Sequence, residues 1–129
     1  IKKVIFFRID FICKKDISFG HLIRTLKLIK LLDKKKYNFF IITKKYDLKK
    51  IKIPSYIKIL ILNKDSLITE NQKVIKLIPN FYFIDLPYNE RLPQFIKSQA
   101  KVITICDELN NYERSDLILF SGNKNQKKK

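Results

Sequence analysis

His21 is the only histidine of the chain, and it closes the run Ser18-Phe19-Gly20-His21 ahead of a predicted helix. Ser18 is of a residue type favoured at the N-cap of a helix. A helix start presents free backbone N–H groups and a partial positive charge, which attract anions such as phosphate. That field lowers the proton affinity of an imidazole and leaves it able to accept a proton, and Gly20 lets the backbone approach a ligand. His21 is therefore the candidate general base, and a capping or partly buried structural histidine is the alternative.

Three aspartates, Asp10, Asp85 and Asp107, come at the ends of predicted strands. Ligands of open parallel sheets bind beyond the carboxyl ends of the strands, so each of these carboxylates is a candidate contact to a substrate. Capping of the following segment is the competing interpretation for all three. Arg24 follows His21 by one helical turn and faces either the same crevice or solvent.

Several motifs that would indicate other chemistry are absent from the sequence. It contains no GxGxxG dinucleotide fingerprint, no Walker loop, no cluster of metal ligands and no nucleophile elbow. The sequence therefore predicts no cofactor and no metal.

The formal net charge of +16 invites a nucleic-acid interpretation. A nucleic-acid binder concentrates Arg and Lys on one face beside aromatic or polar readers. Here the lysines are spread over every segment, there are few arginines, and Ala100 is the only alanine. This composition is typical of AT-rich coding sequence, so nucleic-acid binding is not the expected function, although the field would attract an anionic small molecule.

Cys13 and Cys106 are isolated, which suits a reducing compartment. No signal-peptide pattern is visible, and no apolar run approaches the roughly 20 residues of a membrane-spanning helix. The expectation is a cytoplasmic protein without a membrane partner.

Apolar periodicity predicts alternating strands and helices, and hence an α/β fold with a doubly wound, Rossmann-like parallel sheet. A polar loop is predicted over 10–18. The predicted first helix runs from Phe19 to Leu32, with Leu22, Ile23, Leu26, Ile29 and Leu32 on its apolar face. One domain over residues 1–120 and a lysine-rich, disordered tail over 121–129 complete the prediction. The predicted strands are 3–9, 37–43, 57–62, 80–84, 101–105 and 116–120. A further helix is predicted over 66–78, a helical turn within 44–54, and a short helix that breaks near Pro93 within 89–98.

Five short runs, in three groups, carry a resemblance to a known family. They are Phe7-Arg8-Ile9-Asp10 with Ile17-Ser18-Phe19-Gly20-His21-Leu22-Ile23-Arg24, then Phe83-Ile84-Asp85, then Val102 to Glu108 with Ser115-Asp116-Leu117-Ile118. Together they resemble the UDP-sugar hydrolases of pseudaminic acid biosynthesis and the related spore-coat polysaccharide proteins. The Gly-His-x-x-Arg block is the most specific part of the resemblance.

The resemblance implies that the chain is the amino-terminal half of a GT-B architecture, in which two Rossmann-like domains face each other across a cleft. It implies metal-free removal of UDP from a 2,4-diacetamido-trideoxyhexose, by attack of water at the anomeric carbon with inversion. His21 takes the position of the family's base. Asp10, Ser18, Phe19, Gly20, Arg24, Asp85 and Asp107 are the expected substrate-binding residues.

The sequence also departs from that family. Ser18 replaces a glycine, Cys106 stands where the family has an aspartate, and the 10–18 loop is about two residues longer than expected. The carboxy-terminal domain that carries most of the nucleotide contacts is missing, so a lone domain is expected to be inactive. Two other hypotheses remain open: the acceptor domain of an inverting glycosyltransferase, and a truncated, non-catalytic or basic binding module.

Overall fold

The computed structural model describes residues 2–9, 12–13, 16–17, 20–44, 52–62, 77–86, 96, 99–106 and 115–120. Six described strands form one parallel sheet in the spatial order β5-β4-β1-β6-β7-β8, and two short strands, β2 and β3, form an antiparallel pair. The described elements are β1 (Lys3–Ile9), β2 (Ile12–Cys13), β3 (Asp16–Ile17), α1 (Gly20–Lys30), β4 (Tyr37–Lys44), β5 (Ile57–Leu62), β6 (Phe81–Asp85), β7 (Lys101–Cys106) and β8 (Leu117–Phe120).

The central strand β1 is buried on both faces because β4 and β6 flank it and a hydrophobic cluster covers each side. Its aromatic and β-branched sequence is typical of a buried parallel strand. Ile5, Phe7 and Ile9 point to the side on which α1 packs, here called the helix face. Val4 and Phe6 point to the opposite side, here called the far face.

The helix α1 packs its buried residues Leu22, Thr25 and Ile29 on the sheet, at helical spacing. The prediction for Ile23 was wrong, since 49% of this residue is exposed. Residues 22, 25, 26 and 29 define the inward stripe, and position 23 is turned about 100° away from position 22. The helix also ends earlier than predicted, because i→i+3 bonds from Leu31 and Leu32 to the carbonyls of Leu28 and Ile29 tighten its last turn.

The far face of the sheet is covered from another part of the chain. Ile96 is helical and fully buried there, beside Ala100 and Val102. Helical residues thus pack on both faces, and the strand order is that of a doubly wound Rossmann sheet. The predicted α/β, Rossmann-like fold is confirmed.

Two side chains clamp the amino-terminal edge of the sheet in the same way. Just before β6, Asn80 accepts a hydrogen bond on Oδ1 from the Val4 amide and donates its own amide to the Val4 carbonyl, both at 2.8 Å. Just before β8, Asp116 makes the corresponding pair with Val102, also at 2.8 Å. Each clamp fixes the register between two parallel strands where the ladder starts.

Three more predictions differ from the structure. The predicted loop over 10–18 contains the β2–β3 pair, in which Ile12 lies opposite Ile17. Leu77 and Ile78 are not helical, because Pro79 disfavours the helical conformation in the residue before it. Of the segment 44–54, Lys44 belongs to β4 and residues 52–54 are not helical, so the described part holds no helical turn. Residues 45–51, 66–76 and most of 89–98, and the tail over 121–129, lie outside the described residues.

Candidate functional site

The candidate site begins at the carboxyl ends of β1 and β6. The chain passes from β1 outward to β4 and β5 and then returns to β6 on the other side of β1, so the strand order reverses between these two strands. Ile9 at the end of β1 is the register partner of Asp85 at the end of β6. Ligands of open α/β sheets bind at this kind of topological switch point.

The helix α1 starts close to this edge in the chain. Gly20 is its first residue and His21 its second, and β1 ends at Ile9. His21 lies three positions before Arg24, the spacing of neighbours on a helix surface. Only the backbone of Gly20 and His21 is described.

Arg24 and Asp85 form a bidentate ion pair between α1 and β6. The guanidinium donates from Nε to Asp85 Oδ2 at 2.8 Å and from Nη2 to Oδ1 at 2.5 Å. The side chain of Asp85 is 3% exposed and that of Arg24 is 32% exposed. A carboxylate that is almost fully buried needs a charged or hydrogen-bonding partner. The planar guanidinium can donate one hydrogen bond to each of the two carboxylate oxygens. The pair therefore ties the first half of α1 to the carboxyl end of β6.

Arg8 is a second arginine near this edge. It has the largest side chain among the fully buried residues of the described chain. Strand alternation puts it on the far face, next to Phe6 in β1. Its Nη1 donates to the carbonyl of Ile9 at 2.9 Å and to that of Ile42 in β4 at 3.4 Å. Arg8 thus places a buried positive charge at the carboxyl end of β1, next to the backbone of β4.

The sequence-predicted site residues fall into two groups. Arg24 and Asp85 are brought together in an ion pair, and it stays a prediction that Arg24 faces the same crevice as His21. Gly20 and His21 start α1 as expected. Asp10, Ser18, Phe19 and Asp107 lie outside the described residues, and their roles stay predictions.

Two buried polar residues near the site were missed by the sequence analysis. Arg8 was treated as part of a motif only, although a charge inside an apolar strand is itself a signal of a paired, buried group. Thr25 lies beside Arg24 on α1, and its buried Oγ1 has no hydrogen-bond partner in the described part of the chain. The signal for its burial was its spacing, because Thr25 follows Leu22 by three positions and precedes Ile29 by four and so lies on the apolar stripe.

No protein-family model, curated protein or solved structure matches the chain. Within the described ranges, no three His, Cys, Asp or Glu residues come together in a way that could hold a metal ion. None of the helices in those ranges has the length and hydropathy that crossing a membrane requires.

Proposed function

We propose that this chain is the sugar-binding, base-carrying domain of an inverting UDP-sugar hydrolase with GT-B architecture. The Arg24–Asp85 pair carries the proposal. It joins two residues that the sequence resemblance assigns to the substrate site, one from α1 and one from β6. It does so at a switch point of a Rossmann-like sheet, where ligands of such sheets bind.

The pair supports the proposal through its position. Arg24 lies in the second turn of α1, and Asp85 ends β6 beside the end of β1. Fixing Arg24 against Asp85 therefore fixes the turn of α1 that starts with Gly20 and His21. Efficient proton transfer requires that the base and the substrate stay within a fraction of an ångström of their productive positions. A buried bidentate ion pair helps to hold the helix that carries the base in such a position.

In the proposed reaction, His21 accepts a proton from a water molecule as the water oxygen forms a bond to the anomeric carbon. The bond between that carbon and the β-phosphate oxygen breaks, and UDP leaves with the bonding electron pair. Attack from the side opposite the leaving group inverts the anomeric configuration. A neutral imidazole is suited to this step because imidazole groups ordinarily gain and lose a proton near neutral pH. A second, nucleotide-binding domain supplies the contacts to UDP.

The proposal is tested first by binding. A UDP-2,4-diacetamido-trideoxyhexose is titrated into the 129-residue chain, and backbone amide spectra are recorded. We expect saturable shifts at residues 20–24 and at Asp85, with free UDP alone producing much smaller shifts. Shifts confined to the opposite, amino-terminal edge of the sheet, or no shifts at all, would refute the proposed site.

The role of His21 is tested by the His21→Ala variant. It should bind the sugar nucleotide as the unsubstituted chain does, and it should abolish UDP release in a complete two-domain enzyme. Lys27→Ala on the exposed side of α1 is the matched control and should change neither quantity. Reaction in ¹⁸O-water should place the label on the sugar and not on UDP. Turnover that requires an added acceptor would instead indicate a glycosyltransferase.

A further inference from the structure

A cavity lies on the helix face of the sheet, between the second half of α1 and the segment that leads into β5. Its volume is about 420 Å³, within the range of roughly 300–1,000 Å³ that is typical of small-molecule sites. It is lined by Leu26, Lys30, Lys52, Pro54, Tyr56 and Ile57. Ile57 is the first residue of β5, so the cavity lies towards the amino-terminal edge of the sheet. The candidate substrate site lies at the opposite edge.

The aromatic wall of this cavity is held in place by its neighbours. The Tyr56 ring meets the Phe39 ring edge to face, with 6.1 Å between the ring centres. The Nζ of Lys34 lies 5.5 Å from the centre of the Tyr56 ring, which is a cation–π contact. Ahead of β5, the Ile57 amide donates to the Pro54 carbonyl at 3.1 Å and closes a turn. Because this wall is already fixed, little conformational entropy is lost when a ligand binds against it.

The charged residues of the cavity wall indicate what kind of ligand fits. Lys30 and Lys52 are the two charged residues among those that line it, and none of these lining residues is acidic. Both lysines are exposed, so their alkyl stems cover the apolar wall while their ammonium groups reach water. Within the described part of the chain, neither ammonium group is paired with a carboxylate. An apolar cavity edged by two such lysines is complementary to an organic anion.

We propose that this cavity binds a small organic anion with an aromatic body, of the class of aromatic carboxylates and sulfonates. The body packs against Leu26, Tyr56 and Ile57, where its apolar surface leaves water. The anionic group lies against Lys30 and Lys52, which favour the anion over a neutral compound of the same shape. The cavity and the sugar-nucleotide site lie at different edges of the sheet, so the proposal is independent of the hydrolase activity.

The experiment is a fluorescence titration of the full 129-residue chain with two probes of nearly the same shape. Anilinonaphthalene sulfonate is an anion, and phenylnaphthylamine is its neutral counterpart without the sulfonate. We expect one sulfonate probe to bind per chain, about fivefold or more tightly than the neutral probe, because the two lysines attract the sulfonate. Added salt should weaken binding of the sulfonate probe only. In amide spectra, the sulfonate probe should shift Leu26, Lys30 and Ile57 and leave residues 20–24 and Asp85 unchanged.

The double variant Lys30→Gln, Lys52→Gln is the test, and the double variant Lys27→Gln, Lys58→Gln is its matched control. Each removes two positive charges from exposed positions, so both should fold as the unsubstituted chain does. The test variant should bind the sulfonate probe about five- to tenfold more weakly and the neutral probe equally well. The control should change neither affinity, because Lys27 and Lys58 are not among the residues that line the cavity.

Three results would overturn the proposal. The first is the lack of saturable binding of the sulfonate probe. The second is equal weakening by the control variant, which would indicate general attraction to a chain with a net charge of +16 in place of a site. The third is equal affinity for the two probes, which would show that the lysines do not select an anion. None of these results bears on the hydrolase proposal, whose binding test uses a different ligand and different amide signals.

Discussion

The guanidinium of Arg24 in α1 holds the carboxylate of Asp85 at the end of β6 through two hydrogen bonds, at 2.8 and 2.5 Å. The two residues are 61 positions apart in the chain. They meet because the return of the chain to β6 places that strand next to β1, under the first half of α1. This contact links the helix that carries His21 to the switch point of the sheet.

Removing one partner of this pair should destabilise the protein strongly. Arg24→Met removes the guanidinium that bonds both oxygens of the buried Asp85 carboxylate, and we expect a loss of about 2–4 kcal/mol in the free energy of unfolding. The double variant Arg24→Met, Asp85→Leu should recover part of this loss because no lone charge remains. Urea unfolding of the single and double variants measures the coupling, and additive losses would show that the two side chains do not interact. Lys27→Met, on the same helix but exposed, should change stability by no more than about 0.5 kcal/mol.

The buried Arg8 should not tolerate replacement by lysine. Its guanidinium donates to two backbone carbonyls in adjacent strands, those of Ile9 at the end of β1 and Ile42 within β4. An ammonium group keeps the charge but is compact, strongly hydrated and not shaped as a fork. We expect Arg8→Lys to lower the free energy of unfolding by about 2–3 kcal/mol, measured by urea unfolding. An unfolding curve that matches that of the unsubstituted chain would show that the fork geometry is unimportant here.

Strands formed by short apolar, β-branched runs could be predicted closely from the sequence. The bounds of β1 (Lys3–Ile9) and β5 (Ile57–Leu62) are those predicted, because each is an apolar, β-branched run. The helix prediction was good in position but wrong at Ile23, since apolar character alone does not fix the phase of a helix against a sheet.

Contacts between distant segments could not be predicted in the same way. The Arg24–Asp85 pair depends on strand order and on the register that sets Ile9 beside Asp85. The apolar pattern predicts Asn80 and Asp116 as the first residues of strands. In the structure each strand starts one residue later, and these two side chains bond to a neighbouring strand. The apolar pattern within one strand does not show which other strand pairs with it in the sheet.

The two edge clamps should contribute similar stability. Asn80→Ala removes the acceptor of the Val4 amide, and Asp116→Ala removes the acceptor of the Val102 amide. Each substitution should cost about 1–2 kcal/mol, because a backbone donor at the start of a strand loses its partner. Asp116→Asn keeps an oxygen in place and should cost clearly less. Thermal unfolding tests this, and equal losses for Asp116→Asn and Asp116→Ala would contradict the clamp.

Thr25→Val should stabilise the protein, against the usual direction of core substitutions. The Oγ1 of Thr25 is buried without a hydrogen-bond partner in the described part of the chain, and valine has nearly the same shape without the hydroxyl. Removing this desolvated group should raise the free energy of unfolding by about 1 kcal/mol. Thr104→Val is the matched control, since the Oγ1 of the buried Thr104 is hydrogen-bonded to the Ser115 hydroxyl. That substitution should lower stability by about 1 kcal/mol. The opposite signs are the test, measured by urea unfolding of both variants, and a loss of stability in Thr25→Val would show that its hydroxyl has a partner after all.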